Sequence, residues 1–302
     1  MTEFLIITSL EDNASMNIRE CLLSDDLFRF KELESKWQNY PLFQLEMINA
    51  MKDWSLFFEK HKIFLGLTKT ALILLDDLKL IESEINPDIL IFASRHRSET
   101  AQPAFLAHTT GNWGDEVAFG GNPRELSTAS AILLKAGHLS LEEQINIKKM
   151  NDQFTLNIEV THHGPTTHEK PLIFMELGSS KKEWSIPDAG RLVGHAILET
   201  CSKYVNLNDR NPPKIGIGFG GTHYAPQFHK LIKEKNVAIS FICPKYYIKD
   251  LNKDMITEML KKNIEKVDYF IIDWKGTNSQ DKKHLIPLLE EFDIPIMKTR
   301  DF

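Results

Sequence analysis

The stretch KIGIGFGGTHYAPQFHKLIKEKNVAISFICP, Lys214 to Pro244, decides the fold class. It reads as an apolar strand over 214–220, a helix over 224–235 and a second apolar strand over 237–242. Continuous apolar strands that alternate with helices are expected when both faces of a mostly parallel sheet are covered. The last third of the chain repeats this alternation. We therefore predict an α/β fold with a mixed, mostly parallel central sheet and helices on both faces.

The same pattern extends over the rest of the chain. It opens with a strand at 3–9, a loop that contains Asp12 and then a helical segment. Further strands are predicted at 63–67, 71–76, 88–94, 104–108, 154–162, 171–177, 269–274 and 294–298. Further helices are predicted at 124–136, 188–204, 253–264 and 281–292. No repeat, low-complexity tract or long linker interrupts the pattern, so we predict a single compact α/β domain with elaborations over residues 1–302.

The composition is that of an ordinary globular protein. Of the 302 residues, 42% are hydrophobic, which is enough for a core of ordinary size. No apolar run approaches the ~20 residues of a membrane span, and the N-terminal segment lacks a cleavage-type sequence, so we expect a cytoplasmic protein without a membrane partner. The net charge of −6 gives no general attraction to nucleic acid but does not exclude a local basic surface. Cys21, Cys201 and Cys243 are far apart, which favours small buried side chains over a disulfide or a cysteine-only zinc site.

Polar side chains gather where four predicted strands end. The segments are SRHRS (Ser94–Ser98), HTTGN (His108–Asn112), THHGP (Thr161–Pro165) and GGTH (Gly220–His223). Ligands of parallel sheets bind outside the carboxyl ends of the strands, so these four ends can converge on one pocket. Five of the eleven histidines fall at these ends: His96, His108, His162, His163 and His223.

Each of these histidines taken alone is more often structural than functional, and only their joint placement indicates a site. Adjacent His162 and His163 would point to opposite faces of a strand, so we expect only one of them, His162, to reach the pocket. Glu176 stands inside the apolar run PLIFMELG, where a carboxylate must be paired or protonated. It is interpreted either as a metal ligand or general base, or as a structural partner of Arg191 or of a histidine.

A glycine pattern after the strand at 214–220 matches the dinucleotide fingerprint in form only. The next strand ends in Cys-Pro-Lys, at 243–245, where an acidic ribose ligand is expected. We interpret the glycines as a tight turn that admits a ligand or backbone closely, with Thr222 as a helix N-cap and His223 displayed at the helix start. The sequence contains no HExxH, Walker or GxSxG motif.

Histidines with a carboxylate suit two kinds of chemistry. One is a zinc site that hydrolyses an ester or amide, and the other is metal-free acid–base catalysis with glycine-rich amides as oxyanion donors. The residues alone do not choose between them.

Several blocks together resemble the D-aminoacyl-tRNA deacylases of the archaeal and plant type. They are SRHRS and HTTGN, THHGPT (Thr161–Thr166) and ELGS (Glu176–Ser179), and GGTHYAP (Gly220–Pro226). The similarity runs over nearly the whole chain. It implies hydrolysis of the ester between a D-amino acid and the 3′ end of tRNA, a zinc cofactor, tRNA as partner, a monomer, and a fold similar to peptidyl-tRNA hydrolases and nucleoside phosphorylases. Where members of the family read GGGHYAP, this chain has Thr222, and we expect the turn to survive this change.

The resemblance and the strand ends together predict a site. The predicted catalytic residues are His96, His162 and His223, and the predicted metal ligands are His108, His163 and Glu176. The predicted substrate-binding residues are Arg95, Ser98, Thr109, Gly164, Gly220, Gly221 and Thr222. Contacts to tRNA phosphates are expected from Arg95, Arg97, Lys181 and Lys182, although the two lysines fit a solvated turn equally well. His229, inside a helical pattern, is expected to be exposed.

Two rival functions stay open at this point. The first is a zinc amidohydrolase or nucleoside-cleaving enzyme with the same pocket and a small substrate. The second is a non-catalytic protein that binds the end of a tRNA, although stacking sites usually use aromatic side chains on an open sheet face.

Overall fold

The computed structural model describes residues 1–48, 54–210 and 212–302. The strands are β1 (Thr2–Ser9), β2 (Phe28–Trp37), β3 (Tyr40–Ile48), β4 (His61–Thr68), β5 (Ile89–Arg95), β6 (Ala104–His108), β7 (Thr155–Ile158), β8 (Leu172–Gly178), β9 (Lys214–Phe219), β10 (Val237–Cys243), β11 (Tyr269–Ile272) and β12 (Ile296–Lys298). The α-helices are α1 (Asn13–Ser24), α2 (Trp54–Lys60), α3 (Ala131–Lys148), α4 (Lys181–Trp184), α5 (Pro187–Arg210), α6 (Pro226–Glu234), α7 (Lys253–Lys261) and α8 (Ser279–Leu289).

Two compact units are built from alternating segments of the chain. The first unit comprises Met1–Leu106, Ser140–Leu156 and Phe174–Ser202, and the second comprises Ala107–Leu139, Asn157–Ile173 and Lys203–Phe302. The boundary falls inside β6, β7 and β8. The prediction of a single domain over residues 1–302 stays a prediction.

An eight-stranded sheet runs in the order β2-β3-β4-β1-β5-β8-β6-β7. β1 pairs in parallel with β4 and β5, whereas β3 pairs antiparallel with β2 and β4. Six consecutive residues of β1 are buried, as expected for a central strand covered on both faces. Asp12 caps α1, because its Oδ1 accepts a hydrogen bond from Ser15 N at 2.9 Å. α1 then packs against β1 and β5.

The second unit contains a parallel four-stranded sheet in the order β10-β9-β11-β12. β9, α6 and β10 form the strand–helix–strand element predicted from the sequence. Gly216 and Gly218 make room for the core, because a Cβ there would lie 2.4 Å from Ile271 Cδ1 and 2.9 Å from Phe228 Cε1 respectively. Two glycines of the fingerprint-like pattern therefore serve packing.

The predicted mixed, mostly parallel α/β class is confirmed, whereas several predicted boundaries are wrong. The strand predicted at 71–76 contains a 3₁₀ turn over Leu72–Leu74. The helix predicted at 124–136 begins only at Ala131, because Ser130 Oγ accepts from Leu133 N and thereby caps it. The strand predicted through His162 ends at Ile158. The β2–β3 hairpin was not predicted, because its alternating charged residues leave little apolar signal.

Two further expectations concern membranes and cysteines. Among the residues that the structure describes, no helix combines the length and apolar character needed to cross a membrane. Cys21, Cys201 and Cys243 are free and buried, which confirms their interpretation as small buried side chains.

Candidate active site

Four histidines of the second unit form one cluster, which we call the histidine cluster: His108, His162, His163 and His223. The ring centroids of His162 lie 4.3 Å from His108, 4.4 Å from His163 and 4.8 Å from His223. His108 ends β6, His162 and His163 follow β7, and His223 follows β9. Three of the four polar strand ends predicted from the sequence therefore meet in this unit.

Backbone hydrogen bonds hold these loops together. Thr110 and His162 form a parallel bridge, Gly111 N donates to His163 O at 2.9 Å, and Val160 N donates to His223 O at 2.9 Å. His163 has a φ of 43°, which breaks the alternation of an extended chain. Both His162 and His163 therefore turn into the cluster. The expectation that only one of them does so is wrong, because it assumed a strand that continues through both.

The tautomers of three imidazoles follow from their backbone partners. The Nδ1 atoms of His108, His162 and His163 face the carbonyl oxygens of Thr109, Val160 and Gly164, at 3.0, 2.8 and 2.6 Å. A carbonyl oxygen only accepts, so each Nδ1 carries the hydrogen and each Nε2 keeps its lone pair. Metal-binding histidines in proteins are commonly oriented by such a contact.

Glu159 supplies the carboxylate of the histidine cluster, and sequence reasoning missed it. Its side chain is fully buried, with Oε1 2.8 Å from His223 Nε2 and Oε2 4.0 Å from His108 Nε2. The signal was present, since Glu159 interrupts the apolar run that leads into THHGP just as Glu176 interrupts PLIFMELG. Glu159 Oε1 lies at ion-pair distance from His223 Nε2, and Nδ1 of this 39% exposed imidazole faces the Tyr246 hydroxyl at 3.4 Å.

Two groups within the cluster have the spacing of metal ligands. One ligand atom from each of His108, His162 and His163 lies within 4.8 Å of the others, and the same is true of Glu159, His162 and His223. Burial, reinforced by the neighbouring His108 and His163 rings, holds the pKa of His162 well below the ordinary histidine value. A neutral imidazole with a bare Nε2 is the form that binds a metal ion.

His96 lies in the first unit, at the end of β5. Its Nδ1 is 3.3 Å from Glu176 Oε2, and Glu176 Oε1 accepts from Ser94 Oγ at 2.6 Å. The backbone of β8 approaches this ring closely, since a Cβ on Gly178 would lie 2.6 Å from His96 Cβ. Two structural partners were considered for Glu176, and the structure pairs it with a histidine, His96. Arg191 instead pairs with Asp25, with Nε 3.8 Å from Oδ2.

The predicted substrate-binding residues of the second unit have different surroundings. Gly220 and Gly221 have φ values of 97° and 80°, so the expected tight turn is present. Thr222 is exposed and is not the N-cap of α6, because the cap position is Ala225 and only the Thr222 carbonyl is used, accepting from Ala225 N. Thr109 is buried, with its hydroxyl donating to Ser240 O at 2.8 Å.

His229 is half-buried, and the expectation of an exposed imidazole is wrong. Its ring centroid lies 4.6 Å from that of His138 on α3, since α6 places one face against the body of the second unit.

Comparisons with known proteins point to one family. The sequence model of the family described as D-aminoacyl-tRNA deacylase matches residues 83–297. Proteins named D-aminoacyl-tRNA deacylase from Pyrococcus furiosus and Thermococcus kodakarensis are 34% and 32% identical over 298 residues, which is 97% of this chain and 99% of each relative. The one from Methanocaldococcus jannaschii is 33% identical over 83% of this chain and 93% of its own.

Solved structures with a similar fold were also found. A conserved protein described as of unknown function matches with a TM-score of 0.80 and 28% identity, over 99% of this chain and 96% of its own. A futalosine hydrolase of Helicobacter pylori matches 67% of this chain and 99% of its own chain, at 9% identity and a TM-score of 0.41. This likeness is too distant to support any functional argument.

Proposed function

The chain belongs to the D-aminoacyl-tRNA deacylase family, and we propose that its histidine cluster carries the reaction of that family. The reaction is hydrolysis of the ester that joins a D-amino acid to tRNA, which releases the free tRNA and the D-amino acid. The observation that supports this assignment most is the tautomer pattern, in which three imidazoles present bare Nε2 atoms beside a buried Glu159–His223 pair. Family membership favours this reaction over a small-molecule amidohydrolase and over a tRNA-binding protein without activity.

An aminoacyl ester is already activated, so the enzyme has three tasks. It must orient a water molecule, accept a proton from it and stabilise the oxyanion that forms at the carbonyl carbon. His223 is suited to the proton transfer, because a carboxylate 2.8 Å from Nε2 favours the tautomer that carries the hydrogen on Nε2 and a lone pair on Nδ1. Glu159 then stabilises the imidazolium that forms at His223. It acts as a positioning residue, like the buried carboxylate that orients the histidine of a catalytic triad.

Zinc fits the remaining imidazoles of the cluster. His108 and His163, the predicted ligands, would hold it through Nε2 together with His162, which the sequence assigned to catalysis, since their backbone contacts leave Nε2 with the free lone pair. When bound, the ion would polarise the ester carbonyl and lower the pKa of water. The carboxylate of this cluster is Glu159, so we assign Glu176 of the first unit to positioning His96 through the 3.3 Å contact.

The remaining predicted roles belong to the same proposal. His96 is a further catalytic residue, and the glycine turn at Gly220-Gly221 and the Gly164 segment line the substrate, rejecting the L-form by steric contact. We also propose that the protein is cytoplasmic and monomeric, and light scattering on the purified protein would test the monomeric state.

The test of this function compares mirror-image substrates. Purified protein is incubated with D-tyrosyl-tRNA and with L-tyrosyl-tRNA, and release of the amino acid is followed over time. We expect rapid hydrolysis of the D-form and rates near the uncatalysed background for the L-form. Equal rates on the two substrates would overturn the assignment of chiral specificity, and no hydrolysis of either would overturn the function.

A further inference from the structure

A cavity of about 510 Å³ opens in the first unit, where β5 and β8 end. We call it the basic cavity. Its lining includes Arg95, Arg97, Ser98, Ser179, Lys181 and Trp184. The volume is in the range of pockets that hold a small ligand or a single nucleotide.

The charge of this cavity is one-sided. Its lining contains three cationic side chains and no carboxylate, in a chain whose net charge is −6. Arg97 and Lys181 are exposed, and within the described part of the chain neither forms an ion pair. Unpaired cations around a concave surface focus a positive potential, which attracts anions.

Hydrogen bonds and a stacking contact fix several of the side chains that line the cavity. Arg95 lies over the Trp184 ring, with its guanidinium carbon 5.5 Å from the ring centroid, and its Nη1 donates to Glu11 O at 2.8 Å. Arg95 N donates to the buried carboxylate of Asp12 at 2.9 Å. Ser179 is buried, and its hydroxyl donates to Gln102 O at 2.6 Å. The wall of the cavity is therefore fixed before any ligand arrives, and Arg97 and Lys181 are the free cations at its mouth.

The basic cavity adjoins His96. Trp184 Nε1 donates to His96 O at 2.9 Å, and His96 N donates to Leu177 O of β8 at 2.9 Å. The same two strand ends that carry the His96–Glu176 pair thus carry the cations. A ligand in the cavity would place its anionic group beside a residue of the proposed reaction.

From these observations we infer that the basic cavity binds phosphodiester groups of the single-stranded 3′ end of tRNA. This inference rests on the proposed function and concerns how the first unit binds the tRNA substrate. Arginine matches phosphate geometry with a planar fork of donors, and its guanidinium also offers a face on which a base stacks. A concave pocket of this size accepts a nucleotide of a flexible single strand, whereas an acceptor-stem duplex presents its phosphates on a broad convex surface. Free phosphate or a mononucleotide shares the same chemistry and must be separated by experiment.

The test uses Arg97→Ala and Lys181→Ala, with Lys148→Ala as the matched control. Lys148 is an exposed lysine of the first unit at the end of α3 and does not line the cavity. Binding of fluorescently labelled, deacylated tRNA is measured by anisotropy between low and moderate salt. Each cavity variant should weaken binding about 10-fold and reduce the slope of log K against log salt by about 0.7, as expected for one lost single-strand phosphate contact. Lys148→Ala should leave both values near those of the natural protein.

Two competitors separate the possible ligands. An oligonucleotide that ends in 3′-CCA should displace labelled tRNA from the natural protein, and millimolar inorganic phosphate should not. Competition by phosphate as strong as by the oligonucleotide, or equal effects of Lys181→Ala and Lys148→Ala, would overturn the inference. Because deacylated tRNA requires no turnover, normal binding without hydrolysis of D-tyrosyl-tRNA would contradict the proposed function alone. Hydrolysis with unaltered binding by both cavity variants would contradict this inference alone.

Discussion

The carboxylate of Glu159 should matter to catalysis through its charge, and Glu159→Gln isolates that charge. Glutamine has nearly the same shape and places an uncharged amide beside His223 Nε2, so the packing around the ring is retained while the negative charge is lost. A unit charge at the observed 2.8 Å stabilises an imidazolium by about 6 kcal/mol at an effective dielectric constant of ~20. The His223 side chain is 39% exposed, so solvent screens this interaction, and both charges are delocalised over their groups. The remaining stabilisation of the imidazolium is about 2–3 kcal/mol, so Glu159→Gln should lower kcat by about 30- to 150-fold.

Single-turnover hydrolysis of D-tyrosyl-tRNA at saturating enzyme measures this effect without product release. The control is Glu258→Gln, a half-buried carboxylate of the same unit whose Oε1 accepts from Leu126 N at 2.7 Å. Thermal melting of both variants reports on the fold. If Glu159→Gln melts normally and keeps the full rate, or if it changes only KM, then Glu159 does not stabilise a charge that forms at His223 and the reasoning is refuted.

Three further outcomes are expected. His162→Ala should lower zinc binding, measured by metal analysis, and should lower turnover by roughly 10²-fold or more. The control is His284→Gln at an exposed histidine, which should change neither quantity. Equal losses in both variants would contradict this expectation. Lys135→Met should lower the free energy of unfolding in urea by about 2–4 kcal/mol, because the Lys135 amine donates to three backbone carbonyls and two of these hydrogen bonds are buried. An unchanged transition midpoint would contradict this expectation. Gly218→Ala should lower the free energy of unfolding by about 1–3 kcal/mol, because the new Cβ would lie 2.9 Å from Phe228 Cε1 and overpack the core. Gly114→Ala is the control and should be nearly neutral in the same titration, since its Cβ would lie 3.4 Å from the nearest side-chain atom.

Much of the candidate site could be predicted because it lies at strand ends. A continuous apolar run that stops at a polar residue is visible in the sequence, and His108, His162 and His223 were found in this way. Glu159 was missed although it carries the same signal as Glu176, because nothing in the sequence says which strands are neighbours in a sheet. The joint approach of His162 and His163 depends on a φ of 43° at His163, which a period-two reading excludes.

The errors in the fold have similar causes. The predicted helix start at Arg124 failed because apolar periodicity does not reveal which serine caps the helix, and Ser130 is the one that does. The turn at Leu72–Leu74 is apolar like a strand.

The central claim is that the histidine cluster holds a metal ion and performs the hydrolysis. The most direct measurement strips the purified protein with a chelator, removes the chelator, and titrates zinc while following bound metal and hydrolysis of D-tyrosyl-tRNA on the same samples. We predict that bound zinc and D-specific activity rise together to saturation, as expected when neutral imidazoles supply the ligands. Full hydrolysis of D-tyrosyl-tRNA by protein shown to be free of metal would contradict the claim.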